Sequence, residues 1–355
     1  MTVTTCDTVP YPVHVGRGLL STLPMLVPAL ARAHRIAVVT DETVGPLYAA
    51  RIAKSLGEDR CLLVSLPPGE THKTRQTWAR VTDALLDARF GRDSLLIALG
   101  GGVVGDLTGF VAATYLRGVP MLQLPTTLLA MVDASIGGKT GVDTAHGKNL
   151  VGAFHSPVAV VADLDVLATL PVPERVNGLA EALKHGVIAD ADYFETVAAS
   201  DITSADWRAI VTGSVAIKTR VVAADEREHG LRKVLNFGHT IGHAVEQLMA
   251  YAVPHGACVA YGMLVETRIA IDLGVCDASL ATRIESALVR FGLPTERPAM
   301  LTAEVILAAT ASDKKARGGT VEYALPARCG AMAGGERGYG IPVPHDAVIA
   351  ALSAA

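Results

Sequence analysis

Aromatic side chains are scarce, 5% of 355 residues, although half of the chain is hydrophobic. Much of the apolar content is Ala and Val, which suits a tightly packed α/β core followed by Ala-rich helices and excludes a disordered chain. Cysteine is sparse too: Cys6, Cys61, Cys258, Cys276 and Cys329 are odd in number, scattered and never spaced Cys-x-x-Cys. That excludes a disulfide framework and a thiolate zinc site, and it fits a reducing, cytoplasmic location. Within a net charge of −4 there is no block of five or six like charges, so the basic footprint of a nucleic-acid binder is missing. No run of about 18 apolar residues occurs, and Met1 to Pro10 lacks a charged start and an apolar core, so neither membrane insertion nor secretion is expected.

What is present is a long chain with two textures. A single core usually stops growing at roughly 250–300 residues, so two domains are expected. Arg35–Thr40, ending at Asp41, and Ser94–Leu99, ending at Gly100, predict buried parallel strands. Thr74–Phe90 between them places Trp78, Val81, Leu85 and Leu86 at helical spacing, and Met121–Leu124 and Ala159–Ala162 predict further strands. After Leu170-Pro-Val-Pro173 the periodicity becomes helical, over Val176–Val187, Trp207–Ala223, His239–Ala252 and Gly256–Leu273. The expected fold is an α/β domain over 1–172 and an all-α domain over 173–355, with a hairpin around Gly318–Leu325, a mobile loop at Gly330–Gly340 and a last helix at Asp346–Ser353.

Gly100-Gly-Gly102-Val103-Val104-Gly105-Asp106 follows a predicted strand and opens a helix, fitting Gly-x-Gly-x-x-Gly. Glycine there lets backbone approach a pyrophosphate while the helix N-terminus faces its charge. Tight-turn packing without a ligand is the competing explanation, because the acidic residue expected about 20 positions later is absent. Asp41, before the motif instead of after it, is a substitute for ribose contacts or merely a helix cap. Asp133-Ala-Ser-Ile-Gly-Gly-Lys139 and the following Lys148-Asn149 mix glycines, lysines and an amide, as an anion cradle does.

Glu181 is a lone carboxylate on an apolar predicted helix, and burying it alone is costly unless a cation is near. His239 and His243 share one helical face, and His255 precedes another helix. A carboxylate with imidazoles is the donor set of an open catalytic zinc site, and the spacing leaves His243 open as a ligand. Lys184, Lys218, Arg232 and Asn236 fall on or beside the same segments, with Lys314 and Lys315 later, and such cations can hold a carboxylate or phosphate.

From about Tyr11 onward the chain resembles 3-dehydroquinate synthases of the sugar-phosphate cyclase superfamily. The resemblance is carried by Thr40–Val44, Pro68-Gly-Glu70-x-x-Lys73, Gly100–Asp106, Ala113–Gly118 with Arg117, Pro125-Thr126-Thr127, Gly137-Gly-Lys139, Gly147-Lys148-Asn149, Gly178–Lys184, Leu235–Ala244 and His255-Gly256. It implies a dehydroquinate synthase-like pair of domains, the first Rossmann-like, with the site in the cleft between them, NAD and zinc (or cobalt) as cofactors, a sugar-phosphate substrate and a homodimer. By position it makes Glu181, His239 and His255 the metal ligands and moves His243 to the substrate phosphate. It places Asp41, Glu70, Lys73, Gly102, Val103, Val104, Gly105, Asp106, Thr126, Thr127 and Thr169 around NAD, with Lys139 and Lys148 at its nicotinamide end or near the substrate. Asp133, Asn149, Lys184, Lys218, Arg232, Asn236, His243 and one of Lys314 or Lys315 are then substrate residues, and Arg117 is contributed across a dimer interface.

The implied reaction is a shikimate-pathway step toward aromatic amino acids: 3-deoxy-D-arabino-heptulosonate 7-phosphate gives 3-dehydroquinate and phosphate. It runs by transient oxidation at C4, phosphate elimination, re-reduction and aldol closure, with the metal as Lewis acid. Asn236 and His243 separate the chain from 2-deoxy-scyllo-inosose and 2-epi-5-epi-valiolone synthases. An aminodehydroquinate synthase of antibiotic biosynthesis stays open, since Ala182 and His185 stand where Val and Tyr are common. A zinc- and NAD-dependent polyol dehydrogenase, and a non-enzymatic NAD-binding regulator, are the rivals from other classes.

Overall fold

In the computed structural model, residues 3–310 and 321–354 are described, and contacts divide the chain into two compact units, Met1–Pro171 and Val172–Ala355. Lys314, Lys315 and the start of the expected 318–325 hairpin lie outside the described residues.

The first unit runs β1 (Thr4–Cys6), β2 (Val13–Gly16), α1 (Leu23–Leu26), α2 (Pro28–Arg32), β3 (Ile36–Asp41), α3 (Gly45–Leu56), β4 (Cys61–Leu66), α4 (Arg75–Asp87), β5 (Leu95–Gly100), α5 (Gly102–Thr114), β6 (Met121–Pro125), β7 (Lys139–Thr144), β8 (Gly147–Phe154) and β9 (Ala159–Asp163). Every residue of β3, β5, β6 and β9 is buried, as continuous apolar runs demand when a parallel sheet is covered on both faces. The seven-stranded sheet has the order β1-β2-β9-β6-β5-β3-β4 and is parallel except for the β1–β2 pair. Thr74 caps α4 by accepting from Thr77 N at 3.2 Å, and Val81 and Leu85 then enter a core with Val39, Leu96, Leu107 and Met121.

This strand order explains the misplaced acid. From β3 the chain moves to β4 at one edge, whereas from β5 it moves to β6 on the other side. The carboxyl ends of β3 and β5 are therefore neighbours at a switch point, where open α/β sheets bind ligands. Asp41 precedes the glycine turn in sequence and stands beside it in space for that reason.

The stretch from Asp133 to Asn149, read from composition as helix-poor, is a π-helical turn over Ala130–Ala134 and then the β7–β8 hairpin. Glycines let the hairpin pack closely: a Cβ at Gly141 would meet Val151 O at 2.9 Å, one at Gly152 on β8 would meet Thr140 O at 2.1 Å, and one at Gly109 on α5 would meet Thr140 Cγ2 at 2.3 Å.

The second unit runs α6 (Val172–Ala189), α7 (Ala191–Ala198), α8 (Trp207–Ala224), α9 (His239–Leu248), α10 (His255–Asp272), α11 (Ser279–Phe291), α12 (Ala303–Thr310), β10 (Glu322–Tyr323), β11 (Pro326–Arg328), β12 (Ala331–Met332), β13 (Ile341–Pro342) and α13 (His345–Ser353). Buried all round, α10 is the central helix, and Tyr261, Val265 and Ile269 join Ile241, Ile306 and Val348 in the core. The all-α expectation needs two small additions. Glu322–Tyr323 pairs with Ile341–Pro342 instead of closing a local hairpin, and the hairpin is formed by β11 and β12. Gly330–Gly340 accordingly carries β12 and a short 3-10 turn at Gly335–Arg337. The helix expected to reach Ala252 stops at Leu248, because Ala250 and Tyr251 turn left-handed with φ of 48° and 63°. None of the five cysteines is in a disulfide, and no helix of the described residues is long and apolar enough to cross a membrane.

Candidate active site

In the first unit the glycine turn presents the uncapped start of α5. Gly101, at the cap, offers no side chain, so the first-turn N–H groups are left for an anion. A Cβ at Gly105 would come within 2.9 Å of Gln123 Oε1, which is the close helix-to-sheet packing of the third glycine in a dinucleotide fingerprint. Thr126 N donates to Gly100 O at 2.9 Å, and the buried Thr126 Oγ1 has no hydrogen-bond partner among the described residues. A polar ligand at the turn would satisfy it. Thr127 Oγ1 instead accepts from Ala130 N at 3.1 Å and starts the turn that carries Asp133.

Asp41 does not cap α3, whose N-cap is Val44: its Oδ1 accepts from Thr43 N and Val44 N, both at 2.8 Å, in the turn before the helix. Lys73, almost fully buried, lies 2.5 Å from Asp106 and 2.6 Å from Asn149 Oδ1. Burial opposes its charge, but Asp106, then Glu70 and Asp143, outweigh that and raise its pKa. Lys148 pairs with Glu70 at 3.0 Å, so β8 delivers two cradle residues, Lys148 and Asn149, to the same place. Asn149 is held left-handed at φ 53°, with its N–H donating to Asp143 Oδ1 at 2.9 Å. Thr169 bonds Tyr48 at 2.6 Å. Lys139 is exposed at the head of β7, and Arg117 is exposed beyond α5 in a left-handed conformation of φ 68°.

In the second unit, α6 buries Glu181 completely. Its Oε1 lies 3.3 Å from His239 Nε2 and 3.4 Å from His255 Nε2, while Oε2 contacts Lys184. The far nitrogens of both imidazoles are engaged: His239 Nδ1 donates to Phe237 O at 3.1 Å, and His255 Nδ1 to Glu246 Oε2 at 3.4 Å. Both Nε2 atoms converge on the same carboxylate oxygen, which calls for positive charge there, either a shared cation or a proton on an imidazole. Burial opposes charge on His255, yet hydrogen bonds to Glu181 and Glu246 prevail and push its pKa up to about 9. The donor set fits a divalent metal. His243 stands edge-on to His239 with ring centroids 5.0 Å apart, and its ligand nitrogen lies within 4.8 Å of those of the other two histidines.

Three buried cations stand on elements of this unit that pack together. Lys184 on α6 donates to Leu235 O at 2.9 Å, Lys218 on α8 is buried, and Arg232 is 2% exposed. Arg232 Nη1 donates to Glu226 O at 2.5 Å, and its backbone is set by Asp225, whose carboxylate accepts from Gly230 N at 2.7 Å and from His229 N and Arg232 N at 3.0 Å. Partial burial works against the Asp225 charge, but those amides prevail and hold its carboxyl below the ordinary value. Asn236 Nδ2 donates to Glu228 Oε1 at 2.7 Å. Buried cations at this density suit an anionic ligand.

Four residues escaped the sequence reading. Glu246 stands three residues after His243, on the helical face of both histidines, and that spacing was the available signal. Glu266 is a second lone carboxylate on an apolar helix; it accepts from Gly238 N at 2.7 Å and Ile241 N at 3.1 Å and so caps α9. Asp225 and Glu228 lie in an acidic, exposed-looking run that gave no such signal.

Residues 63–177 match the 3-dehydroquinate synthase N-terminal family and residues 178–316 the C-terminal family. A 3-dehydroquinate synthase of Symbiobacterium thermophilum is 45% identical over 329 residues, covering 90% of this chain and 92% of that one. The enzyme of the same description from Azotobacter vinelandii is 44% identical over 349 residues, covering 96% and 93%. Among solved structures, the 2-epi-5-epi-valiolone synthase of Streptomyces hygroscopicus subsp. jinggangensis, with NAD+ and Zn2+ bound, superposes with a TM-score of 0.87 at 28% identity over 100% of this chain and 99% of that one. On these matches the chain belongs to the 3-dehydroquinate synthase family.

Proposed function

We propose that this protein converts 3-deoxy-D-arabino-heptulosonate 7-phosphate to 3-dehydroquinate and inorganic phosphate, using NAD and a divalent metal, zinc or cobalt. The observation that carries the reading is the convergence of His239 Nε2 and His255 Nε2 on Glu181 Oε1. A solved structure of similar fold holds NAD+ and Zn2+. NAD supplies a reversible hydride acceptor and the metal a Lewis acid for a substrate hydroxyl.

The chain's own residues bind and orient. The amides of Gly102, Val103 and Val104, with Gly105 keeping α5 against the sheet, receive the pyrophosphate; Asp41, Glu70, Lys73, Asp106, Thr126, Thr127 and Thr169 form the rest of the NAD site. Lys139 and Lys148 serve the nicotinamide end or the substrate. Arg232, a planar two-pronged donor, suits the substrate carboxylate. Lys184, Lys218 and His243 suit phosphate and hydroxyl oxygens, and Asn236, oriented by Glu228, discriminates among substrates by an amide where an acid would repel an anion. Asp133 and Asn149 complete the substrate set. A cytoplasmic homodimer belongs to the same reading, with Arg117, exposed beyond α5, as the residue given to a second copy.

The test is phosphate release with catalytic NAD, comparing the heptulosonate, its amino analogue and sedoheptulose 7-phosphate. Phosphate from the heptulosonate without net NADH is expected. Phosphate only from one of the other two, or net NADH from a simple polyol, would overturn the assignment.

A further inference from the structure

We propose that Glu246 is a positioning residue of the metal site, fixing the ring and tautomer of His255 so that Nε2 faces the ion; this rests on the metal reading above. His255 is the first residue of α10, preceded by Pro254, which provides no side-chain cap. The ring of His255 lies beside those of His239 and His243, but its Nδ1 needs an acceptor to settle the tautomer. Glu246 supplies one, from α9, with its carboxylate 3.4 Å from His255 Nδ1 and its side chain nearly buried.

The connection between the two helices is built around that contact. Ala250 and Tyr251 adopt left-handed φ of 48° and 63°, and Tyr251 N donates back to Glu246 O at 3.0 Å. Non-glycine residues hold such angles only where surrounding structure compels them. The turn brings His255 back alongside the residue that grips it. His239 shows the same logic with a different acceptor, since its Nδ1 donates to the neutral Phe237 carbonyl. The anionic acceptor makes His255 the stronger electron donor of the pair, and outer partners of this kind orient metal-bound histidines in general.

The experiment uses the full chain, zinc and a chromogenic chelator of known affinity. Glu246→Ala is expected to weaken zinc binding roughly 10- to 100-fold while NAD affinity stays unchanged. Glu246→Gln, whose amide oxygen still accepts from Nδ1, should recover part of that loss, and the visible spectrum of the cobalt-loaded protein should differ between Glu246→Ala and the unaltered chain. Unchanged zinc affinity in Glu246→Ala overturns the proposal, as does equal affinity in the Ala and Gln variants, or a loss of zinc affinity only in step with NAD affinity. His255→Ala separates the two readings. If it keeps zinc the ligand set itself fails, whereas zinc lost there and retained in Glu246→Ala removes only the role of Glu246.

Discussion

The ammonium of Lys73 lies 2.5 Å from the carboxylate of Asp106, and the same nitrogen lies 2.6 Å from Asn149 Oδ1. One buried cation thus ties α5, which begins with the glycine turn, to the β7–β8 hairpin. A lysine this deep is retained only because carboxylates surround it, and its removal strands them.

Lys73→Met should therefore destabilise the protein by about 3 kcal/mol, somewhat less than for a fully buried pair since Asp106 is 20% exposed, and weaken NAD binding. The sign with pH follows from the raised pKa of Lys73. Its contribution is whole below the unfolded lysine value of about 10.4 and is lost as pH rises through the higher folded value. Denaturant unfolding of both proteins from neutral to strongly alkaline pH should show a constant gap that closes above that value; a gap unchanged in strong alkali would refute the pairing.

Arg232→Ala should raise KM for the heptulosonate by roughly 10- to 100-fold, as expected for losing a charged hydrogen bond, with NAD affinity unaltered. Arg232→Lys should fail to restore it, because an ammonium lacks the planar fork. Steady-state kinetics with each substrate varied in turn decide this, and an unchanged KM rules out carboxylate binding at Arg232.

Glu266 accepts from two backbone N–H groups at the start of α9, one of them next to His239 in sequence. Glu266→Ala leaves both buried and unsatisfied and should cost about 3 kcal/mol in denaturant unfolding. Glu266→Gln keeps an acceptor oxygen and should lose less. Equal stability of all three proteins would show that solvent satisfies those amides.

How far the residues revealed this in advance depended on whether the signal was local. The strands ending at Asp41 and Gly100 were readable because fully buried parallel strands are uninterrupted apolar runs. Glu181 was readable because a lone carboxylate on an apolar helix demands a partner, and Glu266 carries the same signal on α10. The β7–β8 hairpin was not readable: Gly141 and Gly152 let its two strands approach each other closely, and composition alone reports such glycines as loop. The pairing of Glu322–Tyr323 with Ile341–Pro342 was hidden for a similar reason, since nothing near either segment names the other. Asp41 before the glycine turn became intelligible only from the strand order.

The last expectation concerns the distance between α9 and α10, on which the histidine geometry depends. A Cβ built at Gly262 would lie 2.0 Å from Gly238 O and 2.9 Å from Gly242 N, both backbone atoms that have no side-chain freedom with which to yield. Three glycines, two on or beside α9 and one on α10, therefore let the helices meet at backbone contact. Gly262→Ala must push them apart, at a cost of about 3 kcal/mol for overpacking a tight contact. Because His239 opens α9 and His255 opens α10, the same displacement should lengthen the gap between their Nε2 atoms and lower zinc affinity more than tenfold, the scale of a disturbed ligand shell. Thermal unfolding and chelator competition on the same preparation decide the matter. Lost stability with zinc affinity intact would show that the metal site tolerates a wider helix spacing than its glycines imply.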